Sequence, residues 1–195
     1  MNNYAEYISY ITKISLESSQ CEGAIERFVS LFSNNNEKIK RVFLIGNGGS
    51  ASLASHLAQD LNKAAQISLS DSTLNRIQCI SLCDNTPFIT AIANDEGYKN
   101  IFSHQLEAYG FNPKHDVLFA ISCSGNSKNV VKAIEKVPAY NRKNIFAMTA
   151  FDGGKVKDLI PQENLIHVET HDIYTAESIH TIIHHYIILR LKGFA

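Results

Sequence analysis

Two runs of small polar residues have the make-up of an anion cradle. The first is Gly46-Asn47-Gly48-Gly49-Ser50-Ala51-Ser52, which holds three of the chain's ten glycines in its first four residues. Glycine lets a backbone approach a ligand closely and adopt positive φ. Ser50 stands where a helix should begin, so its hydroxyl and the free amides around it could bind an anion. The plainer reading is a tight strand-to-helix turn with a serine cap. The run is neither a GxGxxG pattern nor a P-loop, because no Gly-Lys-Ser/Thr follows. The second run is Ile121-Ser122-Cys123-Ser124-Gly125-Asn126-Ser127-Lys128-Asn129. Its serine hydroxyls, with backbone amides at another helix start, suit a phosphate monoester.

Imidazole and carboxylate groups cluster in two places. His56 and Asp60 are four residues apart and share a helix face. Near the C-terminus come Glu177, His180, His184 and His185. Helical geometry puts Glu177, His180 and His184 in one stripe and His185 about 80° from Glu177. Such groups bind zinc, and they move protons near neutral pH. The plainer reading is a polar helix face with histidines at a subunit contact. His104, His115, His167 and His171 have no comparable setting and are read as structural. In Thr90–Tyr98, Asp95 and Glu96 beside Gly97 are either placed to reach substrate hydroxyls or are loop surface.

The elements that must position these groups follow from the apolar pattern. Short apolar runs at 42–45, 77–82, 117–121, 145–148 and 165–168 read as strands, and helical patterns lie near 50–63, 87–109, 127–136, 153–159 and 174–192. This alternation predicts an α/β fold with a doubly wound, parallel, five-stranded sheet. Residues 4–33 precede it as a helix, closed by a polar loop at Asn34-Asn35-Asn36-Glu37, so residues 1–36 read as a helical appendage whose apolar face needs a partner, for which another subunit is a plausible source. No linker divides the chain, which predicts one domain over 1–195.

Composition narrows the function. With 45% hydrophobic and 19% charged residues the chain is globular rather than disordered. Eighteen basic against nineteen acidic residues leave a net charge of −1, which argues against a bulk binder of nucleic acid. No run approaches the 18 or so apolar residues of a membrane span. Of the four cysteines only Cys79 and Cys83 are close, in a CxxxC spacing that is not a CxxC metal or redox motif. With no secretion signal at the start, the expected compartment is the cytoplasm.

Taken together, GNGGSA at 46–51, AIANDEGY at 91–98, SCSGNSKNV at 122–130 and ESIHTIIHH at 177–185 resemble the sugar isomerase (SIS) family, and within it the phosphoheptose isomerases. The resemblance spans nearly the whole chain. It implies a flavodoxin-like fold, a homotetramer with active sites between subunits, and a phosphosugar substrate. It implies isomerisation of sedoheptulose 7-phosphate to D-glycero-D-manno-heptose 7-phosphate through an enediol, serving lipopolysaccharide or capsule. Phosphate would be bound by Ser50, Ser122, Ser124 and Ser127, with Cys123 in the same loop and the amides of Asn47, Gly48 and Gly49. Asp95 matches an aspartate that holds sugar hydroxyls, and Glu177 a substrate-contacting glutamine. Asp60 and His185 match the acid–base pair. His56, Asp60, Glu177 and His185 match the ligands of one zinc ion per active site.

The chain departs from the family pattern mainly where the sugar would be held. The usual glutamate is Asp60, shorter by one C–C bond of about 1.5 Å. The usual glutamine is Glu177, Ser178 follows it, Tyr174 and Thr175 replace polar positions before it, and the phosphate-loop threonine is Cys123. An arginine expected soon after the catalytic carboxylate is absent, with Ala64 in its place and Lys63 beside it. Helical spacing favours His180 facing the site and the resemblance favours His185. The competing readings are a non-catalytic SIS protein that binds a replication initiator, or a phosphosugar sensor. The ionisable groups at positions 60 and 185 speak for the enzyme.

Overall fold

The computed structural model describes residues 3–32, 38–67 and 77–193, without the side chains of 65–67. The polar loop expected at 34–37 lies outside the described residues. Five parallel strands, β1 (Arg41–Ile45), β2 (Gln78–Ser81), β3 (Asp116–Ile121), β4 (Ile145–Thr149) and β5 (Leu165–His167), form one sheet in the order β2-β1-β3-β4-β5.

Every residue of β3 and β4 is buried. Such strands need apolar residues on both faces, which is why their sequences run nearly uninterrupted. Val42 and Leu44 face one core layer with Phe119 and Ile121, while Phe43 and Ile45 face the other with Leu118 and Ala120. The first layer is closed by helices α2 (Glu22–Ser30), α3 (Gly49–Ile67) and α8 (Ile173–Leu191). The second is closed by α5 (Ile101–Ala108), α6 (Lys128–Glu135) and α7 (Gly154–Leu159), after α4 (Thr86–Asp95) has carried the chain off β2. At the β2 edge the Asn62 side chain donates to Cys79 O at 2.8 Å and accepts from Cys79 N at 3.0 Å, standing in for a neighbouring strand. Among the described residues no helix is long and apolar enough to cross a membrane.

Two expectations change in detail. The N-terminal helix is broken: α1 (Tyr4–Glu17) is followed by a 3-10 turn over Ser18–Cys21 before α2 begins. The turn is tied down, since Cys21 Sγ accepts from His167 N at 3.1 Å and donates to His167 O at 2.9 Å. Most of the apolar face expected to seek another subunit is met within the chain. Phe28 is fully buried, edge-on to Phe119 at 4.7 Å and to Phe146 at 5.4 Å. What stays uncovered lies on α1, where Tyr4 is 78% and Leu16 70% exposed. The helix expected over 87–109 is likewise two helices, parted at Gly97, whose φ of +90° no helix accommodates.

The winding reverses between β1 and β3, the two central neighbours from which the chain continues to opposite edges. In open parallel sheets that crevice, beyond the carboxyl ends of the strands, is where ligands bind. Both serine-containing runs emerge there.

Candidate active site

The first run folds as a turn that glycine makes possible. Gly48 has φ of +55°, and a Cβ on Gly46 would run into the backbone of Ser50. α3 then starts at Gly49, with Ser50 buried in its first turn. The second run is a comparable turn before α6. Gly125 has φ of +62°, and a Cβ there would strike Gly153 O. Ser122 Oγ lies 3.3 Å from Ser127 Oγ, and Ser124 Oγ accepts from Asn126 N at 3.3 Å.

The two turns are joined directly. Asn47 Nδ2 donates to Asn129 Oδ1 at 2.9 Å, and Asn129 Nδ2 donates to Asn47 Oδ1 at 2.8 Å. Asn129 is buried and its Oδ1 also accepts from Val130 N at 3.0 Å. Tyr98 adds a third strut, its hydroxyl donating to Asn47 Oδ1 at 2.9 Å. Two helix N-termini and four serines are thereby held at one crevice, an arrangement suited to a phosphate. Asn129 and Tyr98 were not singled out from the sequence, although both fall inside quoted motifs. Their partner Asn47 is far away along the chain, so no local signal marks the pairing. Asp95, at the end of α4, accepts from Asn94 Nδ2 at 2.7 Å and, among the described residues, makes no hydrogen bond to either turn.

α3 carries His56 and Asp60 away from the first turn and packs along α8. Asp60 Oδ2 lies 3.0 Å from His184 Nε2 and 3.3 Å from His56 Nε2. The rings of His56, His184 and His185 form a triangle with centroids 4.6, 4.6 and 5.5 Å apart. Ligand atoms of His56, Asp60, His184 and His185 all lie within 4.8 Å of one another. Tetrahedral zinc with bonds of about 2.0 Å has ligand–ligand edges of about 3.3 Å, so the Asp60 edges match such a cage. His184 Nδ1 is buried without a hydrogen-bond partner among the described residues, so the hydrogen bonding of this ring runs through Nε2. Burial, with His56 and His185 adding to it, pushes the His184 pKa down to about 4. Its imidazole is therefore neutral at pH 7, the form a metal requires.

The histidines of α8 thus divide. His180, favoured by helical spacing, is sealed in the interior, with Nε2 3.2 Å from Thr149 O and Nδ1 4.0 Å from Cys123 Sγ. Burial pushes its pKa down to about 4. His185 is exposed and belongs to the cluster. Glu177 lies at the other end of the crevice: a Cβ on Gly49 would run into its carboxylate, at the N-terminus of α3. Burial and, second, the Glu177 charge push the Cys123 thiol up, so it stays protonated and is no nucleophile.

This geometry can be set beside known proteins. Residues 6–149 match the family model described as SIS domain. The phosphoheptose isomerase of Helicobacter pylori (strain P12) is 42% identical over 147 residues, which cover 75% of this chain and 71% of that protein. The phosphoheptose isomerase of Colwellia psychrerythraea is 36% identical over 187 residues, covering 94% of this chain and 89% of that one. The solved phosphoheptose isomerase of Neisseria gonorrhoeae superposes with a TM-score of 0.75 at 26% identity, covering 97% of this chain and 96% of that one. The family model covers most of the chain, the sequence relatives and the overall fold agree with it, and the chain belongs to the SIS-domain family.

Proposed function

We propose that this chain is a phosphoheptose isomerase that interconverts sedoheptulose 7-phosphate and D-glycero-D-manno-heptose 7-phosphate. One observation carries the reading: α3 begins in the anion cradle and, two turns on, delivers His56 and Asp60 into a cluster of imidazoles. A single helix thus connects a phosphate grip to acid–base groups.

The reaction moves a carbonyl by one carbon. A base removes a proton from the carbon beside the carbonyl, an enediol forms across the two carbons, and a proton returns to the other carbon. Asp60 and His185, on different helices, are the pair assigned to this transfer. The cradle of Ser50, Ser122, Ser124 and Ser127, with the amides of Asn47, Gly48 and Gly49 and with Cys123 lining it, fixes the far end of the sugar. Holding that end turns encounter into a positioned reaction. Asp95 and Glu177 are assigned to the hydroxyls between. Zinc bound in the cluster would polarise the oxygens on which charge develops. His56, Asp60 and His185 would hold it, with one more ligand from the last helix.

The exposed apolar residues support an assembly. Tyr4, Ile8 and Leu16 are exposed on α1, and Tyr174, Ile182 and Leu189 are exposed on its neighbour α8. Burying them between copies would complete a homotetramer with active sites at the interfaces. A charged phosphate ester does not cross membranes, which supports a cytoplasmic reaction that feeds lipopolysaccharide or capsule precursors.

The test is NMR observation of sedoheptulose 7-phosphate with purified protein, with and without zinc. Appearance of the heptose 7-phosphate is expected, faster with the metal. Tight phosphosugar binding without turnover in either condition would replace the enzyme by a binding protein.

A further inference from the structure

We propose that the metal site of this chain is made of three imidazoles and one carboxylate, with His184 in the ligand place that the family resemblance gives to Glu177. The inference rests on the reading that the cluster binds a metal.

The argument is one of register. α3 and α8 pack together, and two contacts between them mark their alignment. Gly49 faces Glu177 at one level, and the His56/Asp60 turn faces His184 at the next. From Gly49 to His56 is seven residues, and from Glu177 to His184 is also seven. The helices therefore run in step, and the two levels are about 10.5 Å apart at 1.5 Å per residue. A helical side chain leans toward the N-terminus of its own helix. The Glu177 carboxylate accordingly reaches toward the anion cradle and away from the cluster, where the structure finds it against Gly49.

His184 has what Glu177 lacks. Its Nε2 is 3.0 Å from Asp60 Oδ2, and its ring is 4.6 Å from both His56 and His185. It is fully buried, so its orientation is fixed before any ion arrives. Asp60 is shorter by a methylene than the family's glutamate, and a carboxylate drawn back toward α3 leaves room for an imidazole from α8. The short Asp60 carboxylate and the His184 imidazole fit each other across the same contact. Glu177 is released to the upper level, where a carboxylate at a helix N-terminus is favourable and can meet the sugar.

X-ray absorption at the zinc edge of the unaltered, zinc-loaded protein counts imidazoles directly. Three are expected. Two imidazoles with a second carboxylate would overturn the inference while leaving the metal site intact. Absence of stoichiometric zinc would remove the metal reading itself, and this inference with it. Competition with a chromophoric chelator gives an independent readout. Glu177→Gln should keep zinc affinity within about 3-fold, while His184→Asn should lower it by at least about 100-fold, since losing a ligand costs no less than losing the outer partner of one. Circular dichroism reports whether the buried variant folds. A large loss of affinity in Glu177→Gln overturns the inference whatever His184→Asn does.

Discussion

Asn47 and Asn129 exchange hydrogen bonds in both directions, at 2.9 and 2.8 Å, and so fasten the turn after β1 to the turn after β3. A carboxamide pair is self-complementary, each group giving one donor and taking one acceptor. Val130 N–H, which can only donate, fixes Asn129 Oδ1 as the oxygen and with it the sense of the pair, and the Tyr98 hydroxyl donates to the Asn47 Oδ1 so defined. The cradle is thus organised before a ligand enters.

Removing one member of the pair leaves the other unsatisfied. Asn129→Ala should cost about 1–3 kcal/mol in urea unfolding, because Asn129 is buried. It should also raise KM for the phosphosugar more than it lowers kcat. Tyr98→Phe removes an exposed strut and should leave stability within about 1 kcal/mol while weakening inorganic phosphate binding measured by calorimetry.

Asp60 is assigned to proton transfer. Asp60→Asn should lower kcat by about 10²–10⁴-fold, the range for loss of a positioned acid or base. Binding of inorganic phosphate should persist, since the serine turns are untouched. Turnover followed by NMR beside phosphate calorimetry separates the two, and an unchanged kcat would remove Asp60 from the chemistry.

The buried His180 makes stability depend on pH. Its folded pKa of about 4 lies below the ordinary value of 6.5 because burial disfavours the charged ring. Between these values the unfolded chain binds more protons, so stability rises with pH there. The contribution is present above pH 6.5 and is lost as pH falls toward 4. From pH 7 to pH 5 the loss from this one group should be about 2 kcal/mol at 1.36 kcal/mol per pKa unit. His184, whose pKa is also pushed down to about 4, contributes in the same window, so the difference between the unaltered chain and His180→Gln in urea unfolding at the two values measures it.

Gly48 and Gly125 separate strain from collision. Both have positive φ, of +55° and +62°. A Cβ on Gly48 meets nothing, so Gly48→Ala should cost only the left-handed conformation, about 1–2 kcal/mol. A Cβ on Gly125 meets Gly153 O, so Gly125→Ala should cost more and disorder the second turn. Thermal melts of the two variants rank them directly.

Much of this was legible beforehand. The strands announce themselves because β1 and β3 are covered on both faces and need unbroken apolar runs. The two serine turns are legible because glycine and hydroxyl residues at a strand-to-helix junction have a local cause. The phase of α8 was not. Ile179, Ile183 and Ile187 are buried along it, yet His180 and His184 are buried too, so polarity does not mark its inner face. Only contact with α3 shows that His184 meets Asp60 and that His180 does not. The Asn47–Asn129 pair was hidden for the same reason, since its partners meet only when the sheet forms. The break between α1 and α2 depends on Cys21 meeting β5, which is also a tertiary event.

The in-step packing of α3 on α8 acts as a ruler. Along the helix axis it sets Gly49, at the cradle, and His56, in the cluster, about 10.5 Å apart, seven residues at about 1.5 Å each. An extended carbon chain advances about 1.25 Å per C–C bond, the projection of a bond of about 1.5 Å. Six such bonds and a phosphate ester linkage span about 10 Å, which is the length of a seven-carbon sugar from phosphorus to its first carbon. A five-carbon phosphosugar gripped by the same serines would fall short by about 2.5 Å. Under the proposed reaction, the pitch of two helices would serve to read chain length, without a dedicated wall or pocket.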